Sequence, residues 1–113
     1  MDIRDHIVGN VAIVEMSGRL TINDRPGMLK EAITEAIQRG AVHVLLDMHG
    51  VQYIDSTRLG ELISAHVTVS RQGGRLKLAR TPHRVAELLT MAGLGDIFER
   101  FESVEDGTRS FES

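Results

Sequence analysis

Two short apolar-rich runs, residues 3–8 and 11–16, open the chain on either side of Gly9-Asn10. A Gly-Asn pair between β-prone runs predicts a hairpin of two antiparallel strands. Residues 18–24 read as a polar connection, and Pro26-Gly27 marks where the next element begins. From Met28 to Arg39 the period changes. Leu29, Ala32, Ile33, Ala36 and Ile37 fall at i, i+3, i+4, i+7 and i+8, the single apolar face of a helix. Gly40 is its expected stop.

The run Val42 to Leu46 is nearly continuous in apolar residues, as in strands buried on both faces. A loop is expected over 49–54, then a second helix from Asp55 or Ser56. Leu59, Leu62, Ile63 and His66 mark its inner face, Val67 and Val69 its margins, and Gly73-Gly74 its end. Arg75 to Ala79 alternates as a strand does. Thr81-Pro82 predicts an N-cap followed by proline at the first helical position. The third helix turns Val85, Leu88, Leu89 and Ala92 inward and stops at Gly93. Ile97-Phe98 predicts a short edge strand, and the capping-box-like spacing of Ser103 and Asp106 predicts a last helix reaching Phe111. The order β-β-α-β-α-β-α-(β)-α contains strand–helix–strand twice in succession. That requires right-handed crossovers and a mostly parallel mixed sheet of four to five strands with helices packed on it, an α/β fold. One domain over 1–113 accounts for the length.

Composition narrows the function. With 42% hydrophobic and 26% charged residues the chain reads as globular. A net charge of -3, with no cluster of Lys and Arg, argues against nucleic acid and anionic membranes as partners. Cysteine is absent, which removes disulfides, thiolate catalysis and zinc-thiolate sites. The N-terminal residues lack the apolar core of a signal peptide, and no stretch approaches a membrane span, so the expected location is the cytoplasm. The five histidines show no metal-ligand spacing; His43 and His66 read as core or boundary residues. The acidic stretch 99–112 reads as a solvated helix face.

The chemistry of interest lies at Asp55-Ser56-Thr57. In open α/β sheets, ligands and partners gather beyond the carboxyl ends of the strands, and this segment follows such an end. A helix start offers unpaired N–H groups and partial positive charge, so a phosphate on Ser56 could be held there. On spacing alone, a plain capping role for Asp55 or Ser56 outweighs a switch. A Ser-His-Asp hydrolase is disfavoured because Ser56 lacks the Gly-x-Ser-x-Gly elbow.

The segments Val44-Leu45-Leu46-Asp47, Tyr53 to Leu62, Gln72 to Leu78 and Ala92-Gly93-Leu94 together resemble a STAS domain of the anti-sigma factor antagonist type. The resemblance covers nearly the whole chain in order. It implies a STAS fold and a non-enzymatic regulator without cofactor or metal. Unphosphorylated, such a protein binds a serine-kinase anti-sigma factor and frees the sigma factor; phosphorylation ends the complex and a serine phosphatase resets it. Carried over, Ser56 is the acceptor, Thr57 the neighbouring hydroxyl, and Asp55 the residue fixing the turn. Leu59, Gly60, Ile63 and the 18–24 loop are expected as rim or support. Two positions depart from the family: Arg58 stands where glycine is usual, and Thr21 where an acidic residue is common. Arg58 is expected beside the acceptor, where it would pair with a phosphate or alter which kinase docks. A scaffold subunit of a signalling assembly and an accessory subunit of a membrane transporter are the rival readings. Monomer and weak dimer both stay open.

Overall fold

A computed structural model describes residues 1–112; the last residue of the expected domain span, Ser113, lies outside the described residues. The elements follow the expected order: β1 (Asp2–Val8), β2 (Val11–Leu20), α1 (Met28–Gln38), β3 (His43–Ile54), α2 (Ser56–Arg71), β4 (Leu76–Ala79), α3 (His83–Met91), β5 (Arg100–Phe101) and α4 (Val104–Arg109). The strands lie in the sheet in chain order, β1-β2-β3-β4-β5. β1 is antiparallel to β2 and every other pair is parallel.

The central strand β3 buries both faces, as its continuous apolar run requires. Val44, Leu46 and Met48 join Leu29, Ile33, Leu62, Val69, Val85 and Leu89 in the main core, under α1, α2 and α3. Leu45 points to the other face, where Val11, Ile13 and Ala79 meet Val104 and Phe111. The acidic tail is therefore more than a solvated face: α4 lies so close to the sheet that a Cβ on Gly107 would sit 2.8 Å from Leu45 Cδ1. Lys77 is buried beneath it, donating to Ser110 Oγ at 2.9 Å and lying 4.4 Å from the Phe111 ring centroid.

Several boundaries differ from the sequence reading. β3 continues through 49–54, where a loop was expected, and β2 continues to Leu20 rather than ending at Met16. The two extensions pair with each other, Ser17 with Gly50 and Leu20 with Ile54. Register shifts after Glu15 and Gly18 allow the ladder to resume, and Gly18 takes the left-handed conformation, φ +93°, that a residue with a side chain rarely adopts. Thr81 does not cap α3. Pro82 occupies the cap position without a side-chain bond, and the Thr81 hydroxyl is buried without a partner among the described residues. The edge strand is Arg100–Phe101, because Phe98 is buried in the main core instead. The cap at Ser103 is as expected, its Oγ accepting from Asp106 N at 3.0 Å, although α4 ends at Arg109.

Candidate functional site

The long β2–β3 ladder brings two segments together. At its end the Asp55 amide donates to the Leu20 carbonyl at 3.0 Å, so the loop leaving β2 and the start of α2 diverge from adjacent rungs. Asp55, in extended backbone, is the N-cap. One carboxylate oxygen accepts from Arg58 N at 2.9 Å and the other from Ile22 N, across the gap, at 2.7 Å. The same side chain thus closes the helix and fixes the loop. This resolves the alternative of Asp55 or Ser56 as cap. Ser56 is the first helical residue; its hydroxyl is exposed and bonds nothing among the described residues. Thr57 is exposed beside it.

Arg58 departs from its expected place next to the acceptor. Its side chain is only 5% exposed and folds under the loop. Nε donates to the Thr21 carbonyl at 2.9 Å, Nη2 to the Asp24 carbonyl at 2.6 Å, and Nη1 pairs with Glu61. A planar fork with several donors can satisfy acceptors in three directions, which a lysine ammonium cannot do in the same geometry. Thr21, lacking a carboxylate, contributes backbone instead: its N–H donates to Asp24 Oδ2 at 2.8 Å. Asp24 Oδ1 meets the Met1 α-amino group at 2.9 Å. The Thr21 N–H first, and that ammonium second, hold the Asp24 carboxyl below its ordinary range.

The inner face of α2 is Leu59, Leu62, Ala65 and Val69, all buried. Leu59 is therefore support rather than rim. Ile63, expected inward, is 37% exposed, and Val67 is 39% exposed. They belong to an outer face made of Ser56, Thr57, Gly60, Ile63, Ser64, Val67, Ser70 and Arg71, every one exposed and none charged before Arg71 at the helix end. Exposed positions are where charges normally concentrate, so their absence from Ser56 to Ser70 is a property of this face. Ile22, 71% exposed on the loop that Asp55 holds, is an apolar residue of the site that sequence reasoning passed over. Its signal was one isoleucine inside a polar connection. Gly60 lies in ordinary helical backbone with open space where a Cβ would be. Glycine there costs about 1 kcal/mol relative to alanine.

The family model for the STAS domain matches residues 2–107. The chain belongs to the STAS domain family. This STAS domain is 30% identical over 96 residues to the anti-sigma-B factor antagonist of Bacillus subtilis (strain 168), covering 85% of the chain and 86% of that protein. It is also 30% identical over 94 residues to the anti-sigma F factor antagonist of Paenibacillus polymyxa, covering 82% and 80% respectively. Among solved structures, unphosphorylated SpoIIAA superposes with a TM-score of 0.83 at 15% identity, over 98% of this chain and 96% of that one. The phosphorylated form of SpoIIAA gives 0.74 at 14% identity, over 96% and 98%. These likenesses establish the α/β STAS fold with its five-stranded mixed sheet. No helix among the described residues of this STAS domain is long and apolar enough to cross a membrane.

Proposed function

We propose that this STAS domain is an anti-sigma factor antagonist whose unphosphorylated form binds a serine-kinase anti-sigma factor through the outer face of α2 and the Ile22 loop. Phosphorylation of Ser56 ends that binding and a serine phosphatase restores it. The names of its relatives supply the partner class. The observation that carries the reading is the freedom of Ser56. Its neighbour Asp55 performs the capping, so the hydroxyl has no structural task and stands at the N-terminal end of a partly apolar face whose charge is Arg71 at the far end.

Adding phosphate there introduces a charge of about -1.5 to -2 at neutral pH. Arg58, the nearest cation in sequence, is committed to Thr21, Asp24 and Glu61. Asp55 adds a like charge. The first-turn amides and the helix dipole remain to offset it, and Arg58 N is already taken by Asp55. The new charge is thus left largely to solvent, and burying it against a partner is unfavourable without any refolding. Incubation with a purified serine-kinase anti-sigma factor and ATP, followed by mass spectrometry, is expected to yield one phosphate on Ser56. A phosphate that persists in Ser56→Ala at full stoichiometry would refute the assignment.

A further inference from the structure

Residues 102–112 leave the sheet after β5 and return across its far face, opposite α1, α2 and α3. The cross-strand rows on that face are Val11–His43 and Ile13–Leu45–Lys77. The aliphatic members are what a covered face requires; the histidine and the lysine are not. A lysine is almost never fully buried unless it is paired, because its ammonium gives up hydration. Lys77 is only 3% exposed, and it is the C-terminal segment that covers it. Among the described residues, the hydrogen bonds joining 102–112 to the rest of the chain run from Lys77 to Ser110, at 2.9 Å to Oγ and 3.4 Å to the carbonyl. The backbone bonds of the segment are internal to it. Its anchor is Phe111. That ring lies 4.4 Å from the Lys77 ammonium and stacks on the His43 imidazole at 4.7 Å, with the planes 19° apart.

Neutral His43 fits this place, since its Nδ1 accepts from Arg75 N at 3.0 Å. A proton on Nδ1 turns that acceptor into a donor aimed at another N–H, and the bond is lost. The new charge also meets like charge. Arg75 and Lys77, the charged groups that act on the imidazole, are both cations. The β2 residue opposite is Val11, and the C-terminal segment presents the Phe111 ring, which already carries the Lys77 ammonium. Of the nearby carboxylates, Glu99 is turned to Lys77 at 3.5 Å and Glu112 is exposed. We propose that residues 102–112 form a pH-sensitive strap: protonation of His43 unseats Phe111, and α4 leaves the sheet about Glu102-Ser103 while the side of the sheet that carries α1, α2 and α3 stays folded. A short segment held by few tertiary bonds can open on its own. Opening returns water to both His43 and Lys77, and it bares Val11, Ile13 and Leu45. The open form binds the proton more tightly than the closed one. Closure is therefore complete above the ordinary histidine value of about 6.5 and weakens as pH falls from there. The strap and the face that carries Ser56 lie on opposite sides of the sheet, so the device is independent of the proposed switch.

The test follows amide exchange and methyl NMR signals of the full chain between about pH 7.5 and about pH 5. As pH falls, protection factors at 104–111 are expected to drop by up to about tenfold per pH unit. The Leu45 methyl signals should move with them, while the amides of α2 keep their protection. His43→Asn retains a neutral oxygen to accept from Arg75 N and is expected to hold the strap closed throughout. Lys77→Met removes the buried ammonium and should raise protection at 104–111, because opening no longer restores its hydration. Phe111→Ala should abolish that protection at every pH with α2 unaffected. Protection at 104–111 that ignores pH in the parent, or a pH dependence that persists in His43→Asn, would overturn the trigger. Parallel loss in α2 and α4 would mean global unfolding and overturn the strap, as would full protection in Phe111→Ala.

Discussion

Arg58 Nε donates to the backbone carbonyl of Thr21 across 2.9 Å, so the two positions that depart from the family pattern are bonded to each other. The arginine at the helix start and the uncharged residue in the loop form one local device. Replacing Arg58 by the glycine usual in the family would leave the Asp24 carbonyl without its donor, while the Thr21 carbonyl would keep only Asp24 N and the Glu61 carboxylate only Gly27 N among the described residues. The expected loss is about 2–4 kcal/mol in chemical denaturation, with faster amide exchange across residues 21–24. Arg58→Lys is expected to recover less than half of it, because an ammonium cannot reproduce the fork.

Asp55 and Ser56 are adjacent but their substitutions should separate cleanly. Asp55→Ala removes the acceptor of both Arg58 N and Ile22 N and should cost about 1–2 kcal/mol. Ser56→Ala should change stability by less than about 0.5 kcal/mol, while removing the phosphorylated peptide from the mass spectrum. Equal destabilisation by the two would mean that Ser56 shares the capping role.

His43 gives the chain a pH dependence of defined sign. Its Nδ1 accepts from Arg75 N at 3.0 Å and its ring stacks on Phe111 at 4.7 Å. Burial first, then the charges of Arg75 and Lys77, lower its pKa. The unfolded chain therefore takes up this proton at a higher pH than the folded one. The stabilisation is complete above the ordinary histidine value of about 6.5 and falls away as pH drops from there toward the lowered folded value. Melting curves between about pH 7.5 and about pH 5 should show a flatter decline for His43→Asn than for the parent. Parallel curves would refute this assignment.

Gly107 is expected to be intolerant in spite of its helical position. Its Cβ would lie within 3 Å of both Leu45 methyl carbons, and Leu45 is wholly buried. Gly107→Ala should cost about 1–3 kcal/mol and should broaden or shift the Phe111 ring signals in NMR as α4 lifts. Gly60→Ala, the same chemical change on an open face, has the opposite expected sign.

The order of elements and the buried run of β3 were legible because apolar periodicity reports directly on which faces are covered. The second half of β3 was not. Val51 and Ile54 are buried but separated by Gln52 and Tyr53, and only pairing with the irregular end of β2 makes that stretch a strand. Ser56 was legible as a helix start, whereas the identity of the cap depended on a carboxylate that serves two segments 33 residues apart. The place of Arg58 was illegible for a similar reason: all three of its acceptors come from loop backbone or the next helical turn. Ile63 reads as inward and Val67 as marginal because an aliphatic side chain on a helix normally turns toward the core, whereas both are exposed here.

The bond from Asp55 N to Leu20 O leaves no hinge between the loop and the helix start. Both leave the end of a ladder that is completed when the chain folds, so both have little conformational freedom to surrender on meeting a partner. Association can then proceed as the docking of two preformed surfaces, with little ordering cost set against affinity. In such a system a single charged group acts chiefly on how long the complex survives, through its dissociation rate.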